Sequence, residues 1–165
     1  MDADLSHDPK DISRLIRAIE EGADLAIGSR YVDGGSIPEN WGFYRRLNSA
    51  VANGLVRGVL SLEVRDCTGG FRAIRSSLLE HIDFAKLNTK GYAFQISLLS
   101  ALSLLGASIV ELPIHFHDRT IGTSKMRIKD QLEFVATTFR IRTARAPIAP
   151  MRSAATNPAA ARRKL

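Results

Sequence analysis

The sequence comprises 165 residues, of which 45% are apolar, and carries a formal net charge of +6. This length suffices for one domain with its own core. Residues 140–165 hold seven of the 23 basic residues and no acidic ones, which leaves 16 basic and 17 acidic residues in residues 1–139. A nucleic-acid binder usually has a basic folded surface, so this nearly neutral part gives that function class no support, and we expect no nucleic-acid partner of the folded domain.

The first predicted elements are a helix and a strand. Asp8 and Pro9 are typical of a helix start, with Asp8 as the N-cap and Pro9 at the first helical position. Gly22 is placed to end this helix, and residues 24–28 are a short apolar run typical of a buried strand. A helix and a strand at this spacing indicate an α/β fold. The apolar residues with helical spacing are Ile12, Leu15, Ile16 and Ile19.

A long polar loop and a second helix come next. Residues 29–40 contain Gly34, Gly35 and Pro38, and this loop is long enough to carry function. Residues 44–60 are predicted to form an amphipathic helix, with arginines outside its apolar face. The apolar face consists of Leu47, Val51, Leu55 and Val59.

The second half of the chain continues the α/β pattern. A turn over residues 66–70 precedes a short element at residues 71–74. The later elements are a helix over residues 92–105 that ends at Gly106, a strand over residues 108–115, a polar loop over residues 118–125 and a helix over residues 128–142. Pro113 indicates an edge position or a bend in that strand.

Residues 143–165 are predicted to form a disordered basic tail, because they are rich in Ala, Pro and Arg and lack apolar periodicity. The folded domain is therefore assigned to residues 1–142. Two interpretations of the tail stay open: it lies against anionic lipid head groups or nucleic acid, or it only increases solubility.

Cys67 is the only cysteine, which excludes an intramolecular disulfide and favours a reducing, cytoplasmic setting. The longest apolar stretch, residues 96–110, is shorter than the roughly 20 residues that a membrane-spanning helix needs. A membrane role of this chain would therefore be peripheral. Cys67 is predicted to pack in the core and not to act as a nucleophile.

Asp2 and Asp4 form an Asp-x-Asp pair whose side chains point the same way in an extended segment. Two carboxylates suit Mg²⁺ or Mn²⁺ that also binds a diphosphate, although this pair taken alone is better explained by acids interacting with the dipole of a helix N-terminus. Such a pair normally follows a strand. That strand would have to precede Met1, so we expect this chain to be the later part of a longer protein.

Cations next to predicted loops indicate an anionic substrate. They are Arg30, Arg45, Arg46, Arg119 and Lys125. Arginine forks match phosphate oxygens and lysine adds a point charge, although each cation taken singly also fits a solvated surface. His115 and His117 are two apart in a predicted strand. We expect one of them to be partly buried and the other structural, with no metal bound, because no third ligand is suitably spaced.

Five ordered segments resemble the dolichol-phosphate (polyprenol-phosphate) mannosyltransferases, which are family 2 GT-A glycosyltransferases. The segments are residues 1–9 (MDADLSHDP), 23–31 (ADLAIGSRY), 66–73 (DCTGGFRA), 91–96 (GYAFQI) and 118–126 (DRTIGTSKM). The resemblance implies the C-terminal part of a Rossmann-like GT-A domain, with helices packed on a mixed sheet and without the N-terminal nucleotide-binding portion.

The resemblance also implies a reaction and a set of site residues. A mannosyl residue would pass from GDP-mannose to polyprenyl phosphate with inversion, giving polyprenyl-phosphate mannose and GDP. Asp2 and Asp4 match the family's Mg²⁺ or Mn²⁺ ligands at the donor diphosphate. Arg30 and Arg45 match its substrate-phosphate arginines, although the adjacent Arg46 leaves the placement of Arg45 open. The cations of its active-site loop are matched by Arg119 and Lys125.

The implied partners are a nucleotide sugar, a polyprenyl phosphate lipid and the inner face of the cell membrane, with a partner chain or the missing N-terminal segment completing the site. Ser6 replaces a glutamine common in the family, and Ser97 replaces an acidic residue. These departures put a ligand role of Ser6 and the positioning of the acceptor in doubt. The alternatives are another donor such as UDP-glucose, or an inactive fragment that acts as a membrane-associated module.

Overall fold

The computed structural model describes residue 1 and residues 4–38, 40–87, 92–117 and 128–144. These residues form three layers, in which helices cover both faces of a small sheet. In chain order the elements are α1 (Asp11–Glu20), β1 (Leu25–Ser29), α2 (Phe43–Leu60), β2 (Arg72–Ile74), α3 (Ser76–Leu79), a 3₁₀-helix (Phe84–Lys86), α4 (Tyr92–Leu104), β3 (Ile109–Pro113) and α5 (Ile128–Thr143). The predicted helices and strands are confirmed, with their ends shifted by one or two residues. The predicted loop at residues 118–125 and nearly all of the predicted tail lie outside the described residues.

The sheet has the strand order β2-β1-β3. Strand β1 pairs antiparallel with β2, from Leu25 opposite Ile74 to Ile27 opposite Arg72. It pairs parallel with β3, from Leu25 opposite Ile109 to Ser29 opposite Pro113. The mixed sheet with helices on it confirms the predicted α/β class. Pro113 is the last residue of β3, on the edge of the described sheet, as expected.

The alternating side chains of β1 divide the core in two, because successive residues of a strand point to opposite faces. Leu25 and Ile27 belong to the larger apolar cluster, which includes Val56 of α2 and Leu99 of α4. Ala26 lies on the other face, in a smaller cluster that covers the inner side of α1. The sheet therefore sits between α1 and a layer that contains α2, α4 and α5.

The start of α1 differs from the prediction. The helix begins at Asp11 and its N-cap position is Lys10, not Asp8. The Asp8 carboxylate accepts the backbone N–H of Lys10 at 2.9 Å, and its carbonyl accepts the N–H of Asp11 at 3.1 Å. Asp8 thus belongs to a turn that leads into the helix. The helix ends at Glu20, and Gly22 closes it as predicted, with a φ of 116° that favours glycine.

The predicted apolar face of α2 is not its most buried face, and Leu55 and Val59 are only half-buried. Leu47 and Val51 are exposed, whereas Asn53 and Val56 are the buried residues of this helix. Asn53 is drawn inward because its side-chain oxygen accepts the backbone N–H of Cys67 at 2.8 Å, and its amide donates to the carbonyl of Ser49 at 3.0 Å. These hydrogen bonds satisfy a polar group that apolar periodicity alone assigns to the surface.

No helix within the described ranges combines the length and the apolarity that are needed to span a bilayer.

Candidate functional site

The predicted site residues that the structure describes lie near the edge where the parallel strands β1 and β3 end. The loop that follows β1 returns to β3, since Ser36 N–H donates to the carbonyl of Ile114 and Phe116 N–H donates to the carbonyl of Ser36, both at 3.0 Å. His117 N–H donates to the carbonyl of Ser6 at 3.0 Å, which brings the N-terminal segment to the same edge. Ligands of open α/β sheets bind in crevices at such carboxyl ends.

Arg30 follows β1 directly and forms a nearly buried ion pair. Its Nε and Nη2 each donate to one carboxylate oxygen of Asp66 at 2.8 Å, and Nη2 also donates to the hydroxyl of Thr68 at 3.1 Å. The side chains of Arg30 and Asp66 are 11% and 0% exposed. This bidentate hydrogen bonding fixes the orientation of the Arg30 guanidinium.

The environment of Asp66 keeps its carboxylate ionised. Burial raises the pKa of Asp66, but the hydrogen bonds and positive charge of Arg30, with the backbone N–H of Gly69, outweigh burial and bring the pKa below its ordinary value. The Gly69 N–H donates at 3.0 Å. A Cβ on Gly69 would lie 3.3 Å from this carboxylate, which explains a glycine in the turn.

The turn that carries Asp66 is held from two sides. The carboxylate of Glu111 on β3 accepts the backbone N–H groups of Arg65 and Asp66 at 2.7 and 2.9 Å. Arg72 on β2 donates to the carbonyl of Cys67 at 2.7 Å and to the carbonyl of Gln95 on α4 at 2.9 Å. Burial lowers the pKa of Arg72 to about 10. Asp66, the partner of Arg30, therefore lies in a turn that hydrogen bonds hold in place.

Arg45 and Arg46 have different surroundings. The guanidinium carbon of Arg45 lies 3.8 Å from the ring centroid of Trp41, a stacking distance for a cation–π contact. Arg46 donates to the carbonyls of Trp41 and Pro38 at 3.0 and 3.2 Å, so it supports the loop before α2. This division of roles favours Arg45 over Arg46 as the group that meets a ligand.

Phe116, just after β3, joins the two predicted arginines. Its ring lies 5.3 Å from the guanidinium carbon of Arg30 and 5.9 Å from the ring of Trp41, on which Arg45 stacks. The ring of His7 lies 5.2 Å from Phe116 on the N-terminal side. An aromatic cluster thus brings Arg30, Arg45 and the N-terminal segment into one neighbourhood.

Asp4 lies in this N-terminal segment. Its Oδ1 accepts the backbone N–H of Ser6 at 3.1 Å and also the Ser6 hydroxyl. Ser6 is fully buried. Ser6 therefore orients the Asp4 carboxylate. Asp2, Arg119 and Lys125, the other predicted site residues, lie outside the described residues.

Two predictions about single residues have clear outcomes. His115 and His117 are both exposed, so the expected burial of one of them is wrong. His115 Nδ1 shares a hydrogen bond of 2.8 Å with the Ser36 hydroxyl, which keeps the ring at the surface. Cys67 is buried in the larger core cluster, as predicted, and burial raises the pKa of its thiol to about 12.

Three residues of this neighbourhood were not among the predicted site residues: Asp66, Trp41 and Phe116. Asp66 could be recognised only as an acid in a glycine-containing turn. Its pairing with Arg30 spans 36 positions, and no local sequence pattern reveals such a contact. Trp41 is the only tryptophan and stands just before a helix, which was a usable signal. Phe116 follows a strand end, where binding residues concentrate.

Known proteins resemble the chain over most of its length. It is 48% identical over 126 residues to the polyprenol monophosphomannose synthase of Mycolicibacterium smegmatis, and the match covers 76% of this chain and 47% of that protein. It is 43% identical over 126 residues to the undecaprenyl-phosphate mannosyltransferase of Micrococcus luteus, and this match covers 76% of this chain and 51% of that protein. It is 38% identical over 143 residues to the dolichol-phosphate mannosyltransferase of Pyrococcus furiosus, covering 86% of this chain and 39% of that protein. The chain thus spans about half the length of these relatives, or less.

The family model described as Glycosyl transferase family 2 matches residues 1–83, which is half of the sequence. The matched range contains Asp4, Arg30, Arg45 and Asp66. The chain therefore belongs to glycosyl transferase family 2.

Proposed function

We propose that this chain transfers a mannosyl residue from GDP-mannose to a polyprenyl phosphate, with inversion, and releases GDP. The observation that carries the proposal is the convergence of Arg30 and Arg45 around Phe116, at the carboxyl ends of parallel strands and beside the Asp4 segment. Two arginines beside a carboxylate segment suit a reaction between two phosphorylated substrates. The names of the three relatives support mannose as the sugar and a polyprenyl phosphate as the acceptor.

The proposed chemistry requires no strong general base. An oxygen of the lipid phosphate attacks the anomeric carbon, the bond from that carbon to the diphosphate oxygen breaks, and the electron pair leaves with GDP. A phosphate monoester is already ionised at neutral pH, since its second pKa is about 6. The protein's task is therefore to position two anions and to stabilise their charge.

Each arginine has a distinct part in this proposal. Arg45, stacked on Trp41 and exposed, contacts the acceptor phosphate. Arg30, held by Asp66, supplies a fixed positive group at the end of β1. Arg119 and Lys125 are proposed to add positive charge at the same anions, as the family resemblance implies.

A divalent cation, Mg²⁺ or Mn²⁺, is proposed to bind Asp2 and Asp4. A carboxylate offers about four lone-pair sites, so the hydrogen bonds that Asp4 accepts from Ser6 are compatible with metal ligation. The orientation that Ser6 imposes on Asp4 supports such a role. When bound, the cation would stabilise negative charge on the leaving diphosphate.

The acceptor lipid implies a peripheral location on a membrane, and we propose the cytoplasmic side because a sequence with a single cysteine, which forms no intramolecular disulfide, suits a reducing compartment. The assignment of residues 1–142 to the transferase domain and of residues 143–165 to a basic tail remains part of this proposal.

The test is transfer of radiolabelled mannose from GDP-mannose to a polyprenyl phosphate with Mg²⁺ or Mn²⁺, with UDP-glucose as the competing donor. Arg45→Ala should lower kcat/KM for the acceptor about ten- to a hundredfold, since hydrogen bonds to charged groups contribute about 1.5–3 kcal/mol. Arg57→Ala is the matched control, on the same exposed helix about 18 Å farther along. Its activity should change less than about twofold.

The double variant Asp2→Asn with Asp4→Asn should lose transfer and Mn²⁺ binding together. Transfer only from UDP-glucose would refute the proposed donor. An absence of transfer from either donor, with the chain folded, would refute the proposed activity and favour a non-catalytic, membrane-associated module.

A further inference from the structure

Trp41 is held from several sides in the loop that precedes α2. Its backbone N–H donates to the carbonyl of Pro38 at 3.2 Å, and its carbonyl accepts the Nε–H of Arg46 at 3.0 Å. Its ring lies edge to face with the ring of Phe116 at 5.9 Å, and the residue is only 7% exposed. These contacts fix the orientation of the indole ring before any ligand binds.

The indole N–H of Trp41 takes no part in this fixation. Its Nε1 atom is buried, and no residue in the described ranges accepts a hydrogen bond from it. A buried donor without an acceptor is destabilising, and a phenylalanine would offer an aromatic ring without such a donor. What tryptophan offers beyond phenylalanine is a larger ring face, which is the best aromatic surface for a cation. The ring face of Trp41 therefore needs a use other than the folding of the loop.

That ring face carries the guanidinium of Arg45. The guanidinium carbon lies 3.8 Å from the ring centroid, although the side chain of Arg45 is exposed. The first turn of α2 contains no acidic residue, and its N-cap Gly42 has no side chain that could cap it. The positive end of the helix dipole disfavours cations here and favours anions. The stack thus holds an arginine at a place that suits an anionic ligand.

We propose that Trp41 is a positioning residue, whose ring face holds the guanidinium of Arg45 in the orientation that binds the acceptor phosphate. This inference rests on the proposed function, in which Arg45 contacts that phosphate. Because the stack orders a long side chain before the phosphate arrives, binding loses less side-chain entropy. Removal of the ring should weaken phosphate binding through Arg45 and leave the chemical step unchanged.

The first experiment measures the dissociation constant of a radiolabelled, water-soluble short-chain prenyl phosphate by equilibrium dialysis, with no donor present. Trp41→Leu should weaken binding about fivefold, which corresponds to a cation–π contact of about 1 kcal/mol. Trp41→Phe keeps an aromatic face and should recover part of this loss. The matched control is Phe84→Leu, which removes a half-exposed ring of the 3₁₀-helix. The control should change the dissociation constant less than about twofold.

A double-mutant cycle tests whether Trp41 acts through Arg45. Arg45→Ala alone should weaken binding about ten- to a hundredfold. Trp41→Leu added to Arg45→Ala should cause less than about a twofold further loss, because the ring then has no guanidinium to hold. Circular dichroism verifies that each variant is folded, and Trp41→Phe replaces Trp41→Leu in the cycle if the leucine variant does not fold.

The fluorescence of Trp41 gives a readout that a purely structural role would not change. Trp41 is the only tryptophan, so the emission of the chain reports on this ring alone. The prenyl phosphate should change the emission of the unmodified chain. The same phosphate concentration should leave the emission of Arg45→Ala unchanged, because the phosphate acts on the ring through the stacked guanidinium.

The transfer assay separates this inference from the proposed activity. Trp41→Leu should raise KM for the acceptor about fivefold and change kcat less than about twofold, since only binding is affected. If no variant transfers mannose while the binding cycle has the expected form, the proposed transfer fails and the role of Trp41 stands.

Three results would overturn the inference. The first is equal binding by Trp41→Leu and the unmodified chain while Arg45→Ala binds more weakly, which leaves the proposed function intact. The second is the full fivefold loss from Trp41→Leu in the Arg45→Ala background, since Trp41 then acts independently of Arg45. The third is no binding of the prenyl phosphate by the unmodified chain, which overturns the proposed acceptor as well.

Discussion

Replacing Asp66 by asparagine should destabilise the protein strongly, because it leaves the guanidinium of Arg30 without its buried counter-charge. Asp66 is fully buried and accepts four hydrogen bonds, from the backbone and two side-chain nitrogens of Arg30 and from the backbone of Gly69, at 2.8–3.1 Å. An asparagine keeps one acceptor oxygen and turns a donor toward Arg30. Breaking a buried ion pair by removing one partner costs about 3–5 kcal/mol.

The free energy of unfolding is measured by urea titration at pH 7 with the fluorescence of Trp41, which is the only tryptophan and is buried. The expected loss corresponds to a fall in melting temperature of about 6–20 °C for a domain of this size. The matched control is Asp33→Asn, which removes an exposed pair with Arg65 at 3.7 Å. Exposed pairs contribute at most about 1 kcal/mol.

The pH dependence gives an independent check. The pKa of Asp66 is lower in the folded chain than its ordinary value of 3.8, so the stabilisation is present above pH 3.8 and is lost as the pH falls through the lower folded value. The difference between the unmodified chain and Asp66→Asn should therefore shrink below about pH 4. Equal stabilities of the Asp66 and Asp33 variants at pH 7 would refute this reasoning.

Two further predictions concern the supports of the site. Cys67 is buried, so its thiol should react with a thiol reagent only when the chain unfolds. The free energy of unfolding should fall by about 1.4 kcal/mol per pH unit above pH 9, because the pKa of the thiol is 9.0 in the unfolded chain and about 12 in the folded chain. Reagent kinetics and urea titrations measure this, and a Cys67→Ala variant should lose the slope. Arg75→Ala should cost about 1–3 kcal/mol, because its guanidinium donates to two carbonyls at the end of α1 at 2.6 and 2.9 Å. The rate of backbone amide hydrogen exchange should rise at the C-terminal end of α1. Arg17→Ala, in the exposed last turn of the same helix, is the control, and an equal effect of this variant would contradict the supporting role of Arg75.

The elements with strong local patterns could be predicted from the sequence. The i, i+3, i+4 spacing in α1, the apolar run of β1 and the glycine after α4 each express short-range geometry. The inward face of α2 could not, because it is set by the hydrogen bond from Cys67 to Asn53, a contact across 14 positions. The spacing of apolar residues identifies only apolar faces, so it does not predict that a polar residue such as Asn53 is buried by its hydrogen bonds.

The same limit applies to the site. The sequence marked Arg30 and Arg45 as cations beside loops, and the structure places both near one aromatic cluster. It did not reveal that Asp66 already pairs with Arg30, since the two residues are joined only by the tertiary fold. Arg46 supports the loop before α2 by donating to the backbone carbonyls of Trp41 and Pro38. Contacts to backbone carbonyls depend on the fold of the loop, so the sequence did not predict this role either.

The Arg30–Asp66 pair changes how positive charge is distributed at the strand ends. A carboxylate at 2.8 Å largely cancels the charge of Arg30, so this arginine contributes little net potential at long range. Arg45 stacks on the ring of Trp41 at an exposed position, whereas Arg30 is nearly buried. In the proposed function, Arg45 is therefore the one of these two arginines that a phosphate reaches first. The orientation of Arg30 is fixed by Asp66 before any ligand binds, so we propose that Arg30 aligns that phosphate once it has arrived.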